Sequence, residues 1–360
     1  MALTVTPTIG RLAETLVIAA VGGSTLGLLG FPAGWISGAI VAVAIAALAG
    51  RPMQVPVRLA QVIFVLIGVS LGALVTPETL HGIATYPLSI ALMVLATALI
   101  SYGGAAYLRA VHGWDRVTAV LGSAPGAMSQ VVATAVELNA DVRRIVIVQT
   151  LRVVIVAVGL PALLVALGLS GRAAASLGGA FDPSQLDELA ILLAASTVGG
   201  ILAHAVRFPG GLLFGAMMTS AALHGGGWIH AVVPWWVANT VMIALGAIVG
   251  SRFANTPVRT LLRFTGAAFG TFLVTLAVMA AFAGGLVAML PVKAADVLIA
   301  FAPGSVDAMM VLALALQIDP VYVGAHHLVR IVFVSLIMPL TARQAAARAR
   351  RDAASGDSKS

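Results

Sequence analysis

The feature that most constrains this chain is a succession of apolar runs, each long enough to cross a membrane, with only short polar breaks between them. A run of about 18 residues or more spans a hydrocarbon core about 30 Å thick at about 1.5 Å per residue. Lipid offers the backbone no hydrogen-bond partners, so such runs predict helices. Barrel strands would alternate polar and apolar residues over about ten positions. Twelve stretches qualify: about 11–30, 32–50, 58–77, 84–109, 114–138 and 142–169, then 186–206, 208–226, 233–251, 260–290, 294–317 and 320–341. Composition agrees, with 60% hydrophobic residues, 9% charged and a mean hydropathy of +1.06, against about 25% charged in soluble domains.

The formal charge of +7 could point to nucleic acid, but the Lys and Arg residues stand one to three at a time between apolar runs. They read as orientation signals, and no nucleic-acid partner is expected. With no cysteine, disulfides, thiolate metal sites and cysteine nucleophiles are excluded. The N-terminus has no basic n-region or small-residue cleavage site, and Glu14 sits where a signal peptide would be apolar, so the first run is expected to be retained.

The chain repeats itself. Phe31-Pro32-Ala33-Gly34 and Gly38 return as Phe208-Pro209-Gly210-Gly211 and Gly215, 177 positions on. Ala124-Pro125-Gly126 returns as Ala302-Pro303-Gly304 at a spacing of 178, which also carries Asp141 to Asp319, Gln149 to His327, Arg152 to Arg330 and Pro161 to Pro339. Two membrane repeats are predicted, 1–175 and 176–345, followed by a basic cytoplasmic tail, 346–360.

Whether the fifth stretch of each half crosses the membrane sets the symmetry. Twelve crossings make the halves parallel, whereas a re-entrant fifth stretch leaves five crossings per half and inverts them. With Arg152 and Arg330 set aside as intramembrane, the inverted arrangement leaves only Arg172 and Lys293 outside. The parallel one strands Arg143, Arg144, Arg207, Arg252, Arg259 and Arg263 there. Positive charge inside therefore favours inverted repeats with both termini in the cytoplasm. The predicted fold is an all-α polytopic membrane protein, each half having about five spanning helices plus one broken or re-entrant helix.

The Ala-Pro-Gly breaks fall mid-stretch, where Pro removes a donor and Gly permits a turn. Irregular backbone at that depth is tolerated when protein encloses it or it lines a wet cavity, and paired breaks in two halves are the best sequence pointer to a transporter's binding site. Ser123, Gly126, Ser129 and Gln130 surround the first break, and Gly304, Ser305 and Asp307 the second. Asp307 has three roles open to it: holding Na⁺, carrying a coupling proton, or neutralising an arginine. Arg152 and Arg330 each follow an N-capping aspartate by 11 residues, a rise of about 16 Å that brings both to the midplane. Two cations beside two half-helix N-termini suit a small organic anion. The alternative is that Glu137, Asp307 or free carbonyls hold each arginine as structural glue.

His326 and His327 are adjacent and point about 100° apart, unlike an i, i+4 metal pair. Neither a metal nor another cofactor is expected. Gly225-Gly226-Gly227 lacks the strand-to-helix context of a nucleotide loop.

The run Ala124-Pro125-Gly126-Ala127-Met128-Ser129-Gln130 with Asp141, Gln149, Arg152 and Pro161, and its echo from Ala302 through Asp319-Pro320, His326-His327, Arg330 and Pro339, resemble the AbrB membrane-protein duplication family. That family often carries the label ammonia monooxygenase, and its best-known member is named as a regulator of gene expression. It is distinct from the small DNA-binding regulators of the same name. The resemblance covers nearly the whole chain and implies a multi-pass protein of a bacterial inner membrane. The family pattern reads Pro-Gly-Gly with a Glu five residues after the Pro. Here Ala127 and Ser305 replace the second Gly, and Gln130 and Ala308 stand at the Glu positions. The family also looks similar to the cation–proton antiporter and anion transporter class, an analogy of architecture alone.

Three functions are therefore in view. The first is a secondary transporter or exporter of a small anion, with Arg152 and Arg330 as anchors, Ser123, Gly126, Ser129, Gln130, Gly304 and Ser305 lining the site, and Asp307 binding H⁺ or Na⁺. The second is a membrane regulator without transport. The third, a monooxygenase, needs a metal for which no ligand spacing provides, so no enzymatic activity is expected. Expected partners are membrane lipid, the solute and its coupling ion, and a homodimer is compatible with the sequence.

Overall fold

A computed structural model describes residues 9–75, 86–169, 182–254 and 256–357. Among them the chain forms fourteen α-helices and no β-strand. In chain order these are α1 (Ile9–Leu28), α2 (Gly34–Leu48), α3 (Val57–Gly72), α4 (Tyr86–His112), α5 (Arg116–Ser123), α6 (Met128–Glu137), α7 (Val142–Ala166), α8 (Leu186–Ala205), α9 (Gly211–Gly225), α10 (Trp235–Gly250), α11 (Val258–Met289), α12 (Ala294–Phe301), α13 (Val306–Ala315) and α14 (Pro320–Asp357). Among the described residues, seven helical segments are long and apolar enough to cross a membrane. The apolar faces of α1 and α8 are largely uncovered, Val21 being 64% exposed and Leu202 62%. Water would penalise such faces, whereas lipid accepts them. This is a membrane-type helical protein.

The chain divides into two compact units, each drawing on both sequence halves. The first holds α1–α3, α8–α10 and α13; the second holds α4–α6, α11, α12 and most of α7 and α14. The expected boundary at 175/176 and Arg172 lie outside the described residues.

In the first unit α1 packs on α2, α8 on α9, α3 on α9 and α2 on α10. Small residues make these approaches possible. A Cβ on Gly38 would strike the Gly22 backbone of α1, and one on Gly215 the Gly199 backbone of α8. Gly68 of α3 faces Leu213 and Ala216 of α9, while Gly246 of α10 faces Ile36 and Ala39 of α2. Each of these contacts has its counterpart 177 or 178 residues along. α2 is apolar on every side and correspondingly buried. At 15 and 16 residues, α2 and α3 are shorter than the expected stretches 32–50 and 58–77.

In the second unit α4 packs on α5 and α11. Leu108, Trp114, Ala119 and Val148 form one core with Ala267 and Ala268, and Leu121, Val131 and Ile145 form another with Val334 and Met338. The last helix runs well past the expected end at 341, to Asp357, because the tail is rich in Ala and Arg, both strong helix formers.

Gly38→Leu and Gly215→Leu should each lower the thermal midpoint of the purified protein by several degrees through overpacking, about 1–3 kcal/mol. Gly284→Ala, where an added Cβ meets nothing within 4 Å, should leave it unchanged or raise it.

Candidate functional site

Each fifth apolar stretch is two half-helices joined by a turn. Asp115 caps α5, its Oδ1 accepting from the Thr118 amide at 2.8 Å. The helix stops at Ser123, and α6 starts after Gly126 (φ 87°) and Ala127 (φ 50°). No side chain caps α6. In the second half α12 stops at Phe301 and α13 starts at Val306.

Breaking a helix in an apolar interior orphans the last carbonyls of its first piece. Both arginines answer that need. Arg152 on α7, 1% exposed, donates from Nη1 to the Ser123 carbonyl at 3.0 Å and from Nη2 to the Ala124 carbonyl at 2.6 Å. Arg330 on α14, 2% exposed, donates from Nη1 to the Ala302 carbonyl at 2.5 Å and the Phe301 carbonyl at 3.5 Å. Its Nη2 reaches the Gly304 carbonyl at 3.3 Å and His327 Nδ1. One turn earlier on each helix a second donor repeats the arrangement. Gln149 Nε2 donates to the Leu121 carbonyl at 3.0 Å, and His327 Nε2 lies 3.1 Å from the Ile299 carbonyl.

The aspartates do cap their helices, Asp141 accepting from the Arg144 amide at 3.0 Å and Asp319 from the Val321 amide at 2.9 Å. No carboxylate among the described residues ion-pairs with Arg152 or Arg330. Glu137 faces Arg343 at 2.9 Å, and Asp141 faces Arg144 at 2.8 Å. Of the sequence alternatives for what holds the arginines, it is free carbonyls that do so. Yet both Nε atoms are buried without a hydrogen-bond partner, and the charge of Arg152 reaches Arg330. Beside Gly126 there is open space, nothing lying within 4 Å of an added Cβ.

The second unit thus brings Arg152 and Arg330 to the carbonyl ends at Ser123 and Gly304, with Gly126, Gln130 and Ser305 on the same two breaks. The Ser123 hydroxyl lies 2.8 Å from the Ser101 carbonyl and 3.0 Å from that of Val120, so its proton serves the backbone. Gln130 is exposed, Ser305 half-buried, and the side chain of Ser129 lies outside the described residues. Asp307 belongs to the first unit. It occupies the first turn of α13 and, with Gln61, His204, Arg207 and Phe208, lines a cavity of about 690 Å³. The charge of Arg252 acts on it. Among the described residues no three His, Cys, Asp or Glu side chains converge as a metal site would require.

Sequence reasoning missed Gln149 and His327 as partners of the breaks, although the 178-residue spacing pairs them. It also missed the cavity residues Gln61 of α3, His204 at the end of α8 and Arg207 in the turn after it, which share no motif.

The profile of a family described as "Transition state regulatory protein AbrB" matches residues 35–346, a span that includes both breaks and both arginines. The chain belongs to the AbrB family. Curated relatives of similar length match as well. The uncharacterised protein YhjN of Bacillus subtilis (strain 168) is 25% identical over 350 residues, covering 90% of each chain. A protein of Escherichia coli (strain K12), provisionally named regulator AbrB, is 27% identical over 323 residues, covering 87% of this chain and 90% of its own.

Arg152→Met should orphan two buried carbonyls at about 1–3 kcal/mol each and lower the thermal midpoint clearly. Arg343→Met should barely move it, because its pair with Glu137 is more than half exposed on both sides and contributes about 0–1 kcal/mol. Ala127→Gly should raise the midpoint, since a left-handed backbone costs Ala about 1 kcal/mol.

Proposed function

We propose that this AbrB-family protein is a secondary transporter of a small monoanion in a bacterial inner membrane, the solute binding beside the two helix breaks with Arg152 and Arg330 as its anchors. The observation that carries this reading is the pair of buried guanidinium groups, each with an unpartnered Nε and, among the described residues, no opposing carboxylate. A helix C-terminus carries about −0.5 charge. Two such ends offset about one of the two positive charges, leaving roughly one for a ligand. The uncapped N-terminus of α6 adds partial positive charge at the same break. Buried charge of this kind is costly unless something answers it, and in membrane segments it marks solute or ion pathways.

In this reading the two halves are inverted copies, the breaks lie near the midplane, and both termini face the cytoplasm, as the distribution of Lys and Arg supports. Asp307, in its own cavity, is a candidate site for a coupling cation. The protein is then a carrier and not a monooxygenase. The name of the E. coli relative favours a second reading, a membrane regulator that moves no solute. Transport offers an indirect route to the same phenotype, through the level of a solute.

Proteoliposomes holding the purified protein, assayed with radiolabelled gluconate, pyruvate and phosphate, should take up at least one of them saturably. Arg152→Lys and Arg330→Lys should each cut that flux about tenfold or more, since an ammonium cannot reproduce the planar fork. Flux unchanged in both variants would remove the arginines from the mechanism, and no flux of any small anion would favour the regulator.

A further inference from the structure

His327 is fully buried on α14, and its two ring nitrogens have different partners. Nδ1 meets Arg330 Nη2, and Nε2 lies 3.1 Å from the Ile299 carbonyl. A guanidinium can only donate, so Nδ1 must be the acceptor. A carbonyl can only accept, so Nε2 must carry the proton. The imidazole is therefore neutral and locked in one tautomer. A proton arriving at Nδ1 would remove the acceptor and set one cation against another. Protonation of His327 and its bond with Arg330 are mutually exclusive.

From this we infer that His327 is the proton-binding residue that couples proton movement to anion binding at Arg330. This rests on the carrier reading and adds its coupling ion. When His327 takes a proton, Arg330 Nη2 keeps only the long contact with the Gly304 carbonyl, and an N–H of Nη2 is freed for a ligand while Nη1 still holds the Ala302 carbonyl. In return, an anion beside the arginines supplies the negative charge that a buried imidazolium lacks. The described groups that act on His327 electrostatically are positive or neutral. Arg330 and His326 lie on its own helix, and Arg152 of α7 acts through Arg330. Asp296 stands in the first turn of α12, three residues before the carbonyl that His327 holds. His326 contacts Ser89 Oγ at 2.8 Å and stacks edge-on with Tyr86. By linkage each ligand raises affinity for the other by the same factor, which makes one proton per monoanion the natural stoichiometry.

The first half supplies its own control. The position 178 residues before His327 is Gln149, which donates to the Leu121 carbonyl at 3.0 Å. Leu121 itself precedes Ile299 by the same spacing. Glutamine makes the bond of Nε2 without being able to take a proton, so only one half of the chain has the switch.

His327→Gln therefore separates the structural bond from titration. In proteoliposomes with an internal pH-sensitive dye, a valinomycin potassium clamp and the same three anions, the wild type should carry about one proton per anion. In His327→Gln that ratio should fall towards zero, with a control variant at the exposed His230, His230→Gln, keeping it. A ratio retained in His327→Gln and lost in Asp307→Asn would overturn the assignment. A second readout needs no transported anion: ¹⁵N-histidine NMR of the protein in lipid nanodiscs, with the His327 signal assigned by its loss in His327→Gln. The expected result is a pure Nε2–H tautomer at neutral pH that becomes doubly protonated on acidification, while the Arg330 guanidinium signals shift with it. An Nδ1–H tautomer, or titration that leaves Arg330 unmoved, would overturn the switch. Absence of wild-type flux beside the expected NMR result would overturn the carrier reading instead.

Discussion

A helix interrupted in an apolar interior leaves carbonyl oxygens with no partner, and the second unit depends on how those of α5 and α12 are satisfied. Two arginines do it from neighbouring helices, each placing planar donors against consecutive carbonyls at the end of a half-helix. The geometry suits Arg and not Lys, because one rigid fork reaches two acceptors and stays charged when buried. It also ties each break to the start of the helix that carries its arginine. Each sits 11 residues beyond a capping aspartate, so the position of the break and the start of α7 or α14 are fixed together.

The same interaction creates the functional question. Satisfying carbonyls uses Nη1 and Nη2 and leaves both Nε atoms unpartnered, with more positive charge than two helix ends offset. A solely structural clamp has no need of that surplus. The surplus, the open space at Gly126 and the uncapped start of α6 are what an anion would use, and the neutral His327 is what a proton would use.

Helical character and membrane class were legible in the sequence because length and apolarity alone decide them: the run 142–169 became Val142–Ala166 with little adjustment. The breaks were legible because Pro125 and Pro303 are each followed by a Gly, whereas Pro161 and Pro339, followed by Ala162 and Leu340, sit within continuous α7 and α14. The capping roles of Asp141 and Asp319 were legible as well. What the arginines touch was not legible, since carbonyl acceptors leave no residue-type signature. The division into compact units was hidden for a related reason. It is set by close approaches such as Gly68 against Leu213 and Gly246 against Ile36, contacts between distant segments that periodicity within one helix does not reveal. The place of Asp307 in a cavity with Gln61 and Arg207 was hidden likewise.

The central claim, that an anion binds between the buried guanidinium groups, is tested most directly by anomalous diffraction from crystals grown in a lipid phase and soaked in bromide. The account predicts an anomalous peak within hydrogen-bonding distance of Arg152 Nε or Arg330 Nε, absent in the Arg152→Met, Arg330→Met double variant. Both Nε atoms hydrogen-bonded to protein groups, with bromide bound only elsewhere, would contradict it.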